Sequence, residues 1–243
     1  MQPRLTASFA IAFLLVAATA VARADESYTV SGTDTYRLGA TATSTHIDYE
    51  GTQLLTTRLD GRGHRFVAEA TYTRHDEAGK ASVHARFVQE MNADGTFEDR
   101  VDDDPDFLTV LNQPFAIQLD KTTLSDLHHL HGSVPFEATS PLGGARLHGF
   151  LRGAPPGEVN GVKAAGVRFT ANGPMAGALP QHPDALLAGT IRMDGTAYYA
   201  LDGAVLVALD ATLTIEGKLR NNQAAVPVRI TYHRVIRTRK ALP

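Results

Sequence analysis

The sequence predicts an all-β, predominantly antiparallel fold built as a curved sheet, whether barrel-like, a half-barrel or a sandwich. Three observations support this prediction. Several segments alternate apolar and polar residues with a period of two, turn sequences separate these segments, and the strands they indicate are long. Strands of about 11–14 residues exceed the usual length, and long antiparallel strands in one sheet twist and curl. A curved sheet of this kind has a concave face.

The alternation is clearest in segment 205–216. The residues at odd-numbered positions are apolar, and those at even-numbered positions include acids and threonines. A β-strand would bury the apolar set on one side, whereas a helix could not. The apolar parity comprises Val205, Val207, Leu209, Ala211, Leu213 and Ile215.

Other segments repeat this pattern. Segments 65–74 and 82–91 are predicted hairpin partners across the polar turn 76–80, and 145–152 is a further strand. The last strand, 226–233, directs Val226, Val228, Ile230 and Tyr232 inward, and Pro227 indicates an edge position or a strand start. Asp-Gly pairs at 60–61, 94–95, 194–195 and 202–203 predict chain reversals.

One short helix is predicted near 121–131. Thr122 or Thr123 can cap its start, and Leu124, Leu127 and Leu130 recur at a spacing of three. We interpret it as a plug at a barrel end or a bridge between two strand meanders. Residues 25–243 are expected to form a single domain, with a possible seam near 120–133.

The start of the chain resembles an export signal. Arg4 supplies a positive charge, 9–20 is an apolar run, and small residues at 22 and 24 suit cleavage after Ala24. Residues 1–24 are therefore a predicted cleaved signal peptide, and the mature chain is expected to be periplasmic or secreted. An uncleaved anchor is the alternative, but the run is short for a spanning helix. No transmembrane segment is expected after signal removal.

Charge and cysteine content exclude some functions. Losing 1–24, with two arginines and no acid, moves the formal charge from −3 to −5, which does not favour nucleic acid as a partner. The absence of cysteine excludes thiol catalysis, disulfides and cysteine-ligated metals. No cofactor is predicted, and the oligomeric state is left open.

The histidine-rich segment 126–131 contains the weak candidates for a metal site. Asp126, His128 and His131 could begin one, which His148 and His182 would have to complete through folding. Zinc needs three or four ligands, and no second pair at ligand spacing appears. We therefore predict no metal site and interpret these histidines as solvated.

Two charged stretches have alternative interpretations. The acidic run 98–106 lacks the spacing of a calcium loop and is expected to be a solvated loop that protects a sheet edge. The basic stretch near the C-terminus could contact an anionic surface, but a soluble edge strand with a frayed tail is favoured. This stretch comprises Arg229, Arg234, Arg237, Arg239 and Lys240.

No motif for a catalytic nucleophile or a phosphate loop appears, so an enzyme is less favoured than a binder. The expected function is binding of a hydrophobic small molecule or lipid on the concave face, as in a lipid carrier. Two alternatives are a structural or partner-binding envelope or secreted module, and a hydrolase with paired carboxylates on that face. An outer-membrane barrel is disfavoured, because the chain has no tryptophan and its strands carry charges on their polar parity.

Overall fold

We describe a computed structural model of the chain. It describes residues 22–40, 43–60, 63–92, 97–103, 133–140, 145–179, 182–201, 205–221 and 224–239. The predicted helix near 121–131, the seam at 120–133, and Asp126, His128 and His131 lie outside these residues.

The described residues form eleven antiparallel strands in one sheet, which confirms the predicted fold class. The strands are β1 (Ala22–Leu38), β2 (Thr45–Asp60), β3 (Gly63–Asp76), β4 (Gly79–Asn92), β5 (Phe97–Asp103), β6 (Ser133–Thr139), β7 (Arg146–Val159), β8 (Val162–Leu179), β9 (His182–Ala200), β10 (Leu206–Arg220) and β11 (Ala225–Thr238). Nine of them have 14–19 residues, so the prediction of long strands is also confirmed.

The strand order places the first and last strands at the centre of the sheet. The order is β5-β4-β3-β2-β1-β11-β10-β9-β8-β7-β6, so two meanders are joined by the ladder between β1 and β11. The edges are β5 and β6, and no ladder joins them within the described residues. The sheet is therefore open.

The predicted hairpin of 65–74 and 82–91 is confirmed. Strands β3 and β4 pair up to Asp76 and Gly79, and the Asp76 carboxylate accepts a hydrogen bond from the Ala78 amide at 2.9 Å. Gly79 has a φ of 126°, which only glycine adopts readily. The turn chemistry therefore fixes the register of this pair.

The predicted turns at 60–61, 94–95 and 202–203 include residues outside the described ones, whereas the prediction of a turn at 194–195 is wrong. These two residues lie within β9, and a Cβ on Gly195 would lie 2.3 Å from the Asp210 carbonyl oxygen. Here glycine permits close approach of the neighbouring strand. The tight turn between β7 and β8 is made instead by Asn160 and Gly161, both with positive φ.

The interpretation of the C-terminal strand needs two corrections. Strand β11 is central, because it pairs with both β1 and β10, so Pro227 marks a strand start and not an edge. The tail is ordered through residue 239, where the Arg239 amide donates to the Ser27 carbonyl at 2.9 Å. The acidic run also differs from the prediction, because its residues through Asp103 belong to β5, an edge strand.

One face of the sheet, here called the inner face, carries the main apolar core. Among the side chains that the structure describes, its buried members come from nine strands, β1–β4 and β7–β11, and form one continuous cluster. Tyr28, Ala68 and Ile191 are representative members, with at most 2% of their surface exposed. The alternation predicted from the sequence therefore sorts residues onto this face correctly along most of segments 65–74, 205–216 and 226–233.

A bulge in β10 changes the alternation at the start of that strand. The register shifts between Leu206 and Ala208, so Leu206 joins the inner core and Val207 does not. Val207 instead packs in a smaller cluster with residues of the β7–β8 hairpin. The prediction that 205 and 207 share a face with 209–215 is thus wrong, because an extra residue reverses the parity.

Glycines on the inner face allow neighbouring backbones to come unusually close. A Cβ at Gly51 would lie 2.3 Å from the Thr71 carbonyl oxygen, and one at Gly217 would lie 2.3 Å from that of Ala188. Such close approach on one side is what a sheet curling toward that side requires. The inner face is therefore the concave one.

We expect Gly51→Ala to lower the free energy of unfolding by about 2–3 kcal/mol, because the added methyl group meets backbone that cannot rotate away. Urea denaturation measures this loss. Thr52→Val, on the exposed opposite face of β2, is the matched control and should change stability by less than about 0.5 kcal/mol. Equal stabilities for the two variants would contradict the proposed source of curvature.

Candidate functional site

The inner face contains one fully buried ion pair, between Asp34 of β1 and Arg234 of β11, among the described residues. Arg234 donates from Nη1 to the Asp34 carboxylate and to the His233 carbonyl oxygen at 2.9 Å. Both side chains have no exposed surface. Because buried charges are stable only when paired and hydrogen-bonded, this contact must be specified by the surrounding fold.

Gly32 provides the space that the Arg234 side chain occupies. The two residues are direct cross-strand partners, and a Cβ on Gly32 would lie 2.8 Å from Arg234 Cδ. Since β1 has no side chain there, the guanidinium reaches over it to Tyr49 of β2, 4.6 Å from the ring centroid. The pair of Gly32 and Arg234 thus connects three strands.

Tyrosines surround the ion pair. The Tyr36 hydroxyl donates to Asp34 Oδ2 at 3.2 Å, and the Arg234 guanidinium lies 5.7 Å from the centroid of the Tyr232 ring. The rings of Tyr36 and Tyr232 meet edge to face at 6.0 Å. We call Asp34, Tyr36, Tyr49, Tyr232 and Arg234 the polar cluster. Aromatic faces stabilise a desolvated guanidinium, so the cluster is a cation held in an aromatic cage.

Burial sets the protonation of these groups. It raises the pKa of the Tyr36 hydroxyl, which therefore stays protonated and can donate. Burial also raises the pKa of the Asp34 carboxyl, against the charge of Arg234 and the hydrogen bonds from Arg234, Tyr49 and Tyr36. Burial acts to lower the pKa of Arg234, but the charge and the hydrogen bond of Asp34, together with Tyr49 and Tyr36, outweigh this effect and the pKa is raised.

The ion pair is the state we assign to the polar cluster at neutral pH. A guanidinium does not lose its proton in proteins, so a protonated Asp34 would leave an uncompensated cation in the interior. An ionised Asp34 leaves the cluster with no net charge.

Apolar side chains continue on both sides of the polar cluster. In one lateral row Phe169, Gly195, Ala211, Arg234 and Gly32 are successive cross-strand partners. Each of the two large side chains in this row, Phe169 and Arg234, has a glycine as a cross-strand partner, and a Cβ on Gly195 would lie 2.6 Å from the tip of the Phe169 ring. The large side chains therefore lie over the glycines, which gives a closely packed concave surface.

The opposite face carries two shallow polar grooves. One, of about 490 Å³, is lined by residues that include Asp48, His75 and Lys80, and the other, of about 460 Å³, by residues that include Glu158 and Asp194. The 2.9 Å contact between His233 Nε2 and the Asp210 carboxylate lies between them. Both grooves are open to solvent and more polar than the inner face.

The structure does not assemble a metal site from the described residues. No group of three or more histidines, aspartates and glutamates comes together there, and Asp126, His128 and His131 are outside this part. His148 lies on exposed β7 surface beside Glu137, with Nδ1 and Oε1 3.2 Å apart, and His182 begins β9. In the same part of the chain, no helix is long and apolar enough to span a bilayer.

Sequence reasoning missed both charged members of the polar cluster. It assigned Arg234 to a solvated basic stretch and gave Asp34 no role. The signal was available, because Arg234 has the parity of Ile230 and Tyr232, and Asp34 has that of Val30. A charged residue at an inward position of an apolar series indicates a buried partner on another strand.

We expect Asp34→Leu and Arg234→Met each to destabilise the protein by about 3–5 kcal/mol, because either leaves a buried charge unpaired. The double variant should recover most of this loss, since it removes both charges and keeps apolar volume. Urea denaturation of the four proteins as a double-mutant cycle measures the coupling. Additive losses would contradict a direct pair interaction.

Comparison with known proteins adds no family to this description. No family model matches the chain, and no curated protein matches it. The function must therefore be argued from the inner face and the polar cluster.

Proposed function

We propose that the protein is a non-enzymatic binder of a hydrophobic or amphipathic ligand, held against the inner face as in a lipid carrier. One observation supports this most: in the part of the chain that the structure describes, a continuous apolar surface drawn from nine strands contains the polar cluster. Binding sites for small organic molecules have this composition, with a mostly apolar wall and few polar groups that orient the ligand.

Access to the inner face sets a condition on binding. Its side chains are almost completely buried, so a ligand has to replace contacts that now cover them. The open sheet favours this exchange, because β5 and β6 are not held together by a ladder in the described residues. Association that requires such a change is slower than simple docking.

The geometry favours binding over hydrolysis. Asp34 is the inner carboxylate with no exposed surface, and its described contacts are with a guanidinium and tyrosine hydroxyls. A glycosidase-like site needs a second carboxylate across the scissile bond. The environment of Asp34 instead holds one ionised group in a fixed pair.

Native mass spectrometry tests the proposal on protein purified from its own host without detergent, followed by organic extraction of bound material. We expect a reproducible excess mass that extracts as lipid, and uptake of a fluorescent lipid by the extracted protein. A clean apo mass together with no uptake would overturn the proposal and favour a structural or partner-binding role.

We also propose that the chain is exported and acts in the periplasm or outside the cell after loss of 1–24. Strand β1 begins at Ala22, so cleavage after Ala24 removes only its first three residues. Strand pairing from Asp25 to Tyr36 with β2 remains. The mature strand therefore keeps Asp34 and Tyr36, which are the members of the polar cluster that β1 contributes.

N-terminal sequencing of the protein from each cell fraction checks the export proposal. The expected result is an N-terminus at Asp25 in the envelope fraction or the medium. Recovery of the uncut chain in the cytosol, with no processed form elsewhere, would contradict it.

A further inference from the structure

We propose that the ligand is electrically neutral: a lipid with an uncharged hydroxyl head group, and not a fatty acid anion or a cationic amphiphile. This inference rests on the proposed function and narrows it to one chemical class. It follows from the charge balance of the inner face.

The buried charges of the described residues already cancel. Asp34 and Arg234 are the charged members of the buried polar set, whose other members are Gln53, Ser140 and Thr238. A charged head group entering this surface would bring one charge without a counter-charge. Burying an uncompensated charge is strongly unfavourable, so the surface discriminates against ions of either sign.

Arg234 is also already engaged by several groups. Its Nη1 contacts the Asp34 carboxylate and the His233 carbonyl, and the rings of Tyr49 and Tyr232 lie beside the guanidinium. An anionic ligand would therefore have to displace Asp34. The displaced Asp34 carboxylate would then be buried in apolar surroundings without a counter-charge, so the exchange would not increase the number of paired charges.

A neutral hydroxyl can use what the polar cluster still offers. The Tyr36 hydroxyl donates a hydrogen bond to Asp34, and a phenolic oxygen can also accept one. A ligand hydroxyl can donate to that oxygen while its chain lies along the apolar inner face. This contact orients the head group without adding charge.

The test compares dodecanol, dodecanoate and dodecylamine, which share one chain, as competitors of a fluorescent lipid bound to the wild-type protein at mildly alkaline pH. We expect dodecanol to compete best and both ions to bind roughly a hundredfold more weakly. Equal affinity for dodecanoate or dodecylamine would overturn this inference and leave the proposed function standing. Failure of all three and of the fluorescent lipid to bind would overturn both.

Two variants should reverse the selectivity. Asp34→Asn leaves the charge of Arg234 uncompensated and should make dodecanoate the best competitor, whereas Arg234→Met should favour dodecylamine. Glu216→Gln changes the net charge by the same amount as Asp34→Asn but at an exposed pair with Arg229, and it should keep the wild-type order. If Asp34→Asn folds but keeps the wild-type order of the three competitors, the inference is contradicted. If this variant does not fold, the competition experiment with the wild-type protein decides the inference.

Discussion

The ion pair between Asp34 and Arg234 joins two residues that are 200 positions apart in the sequence. It lies on the ladder between β1 and β11, where the two meanders of the sheet meet. Its geometry requires a glycine at 32, aromatic rings from three strands, and a curved sheet that brings them together. The position of these groups therefore constrains the register of the whole central part of the sheet.

Such a pair is a weak source of stability but a strong source of specificity. Two apolar residues of similar volume would often stabilise a core as well or better, because they avoid the cost of removing charge from water. A one-residue slip between β1 and β11, however, would turn one of the two charges to the opposite face of the sheet and leave the other buried without its partner. The high cost of burying an unpaired charge, which enforces the register, also disfavours a further charge on the concave face.

Period-two alternation predicted β3, β4 and β10 well, because each has one buried face and so a clear pattern. The prediction failed where the same local sequence pattern is compatible with more than one structure. Asp-Gly at 194–195 has a turn composition, but Gly195 is required for close packing beneath Phe169. The bulge near Leu206 reversed a parity that the sequence shows as unbroken, and the central position of β11 depends on a pairing with β1 that no local pattern encodes. The polar cluster was missed for that reason, since its members become neighbours only through long-range pairing.

The central ladder also determines when the sheet can be completed. Strand β11 follows the ten other described strands in the sequence, so its ladder with β1 cannot form until all of them have been made. Contacts between such distant segments carry a large loop-closure cost and form slowly. Until then the inner apolar residues of β1 and β2 lack their cover from β11, and an early fragment cannot reach the final fold. A chain built in this way leaves part of its apolar inner face exposed until β11 has been made, and exposed apolar surface of this kind favours aggregation.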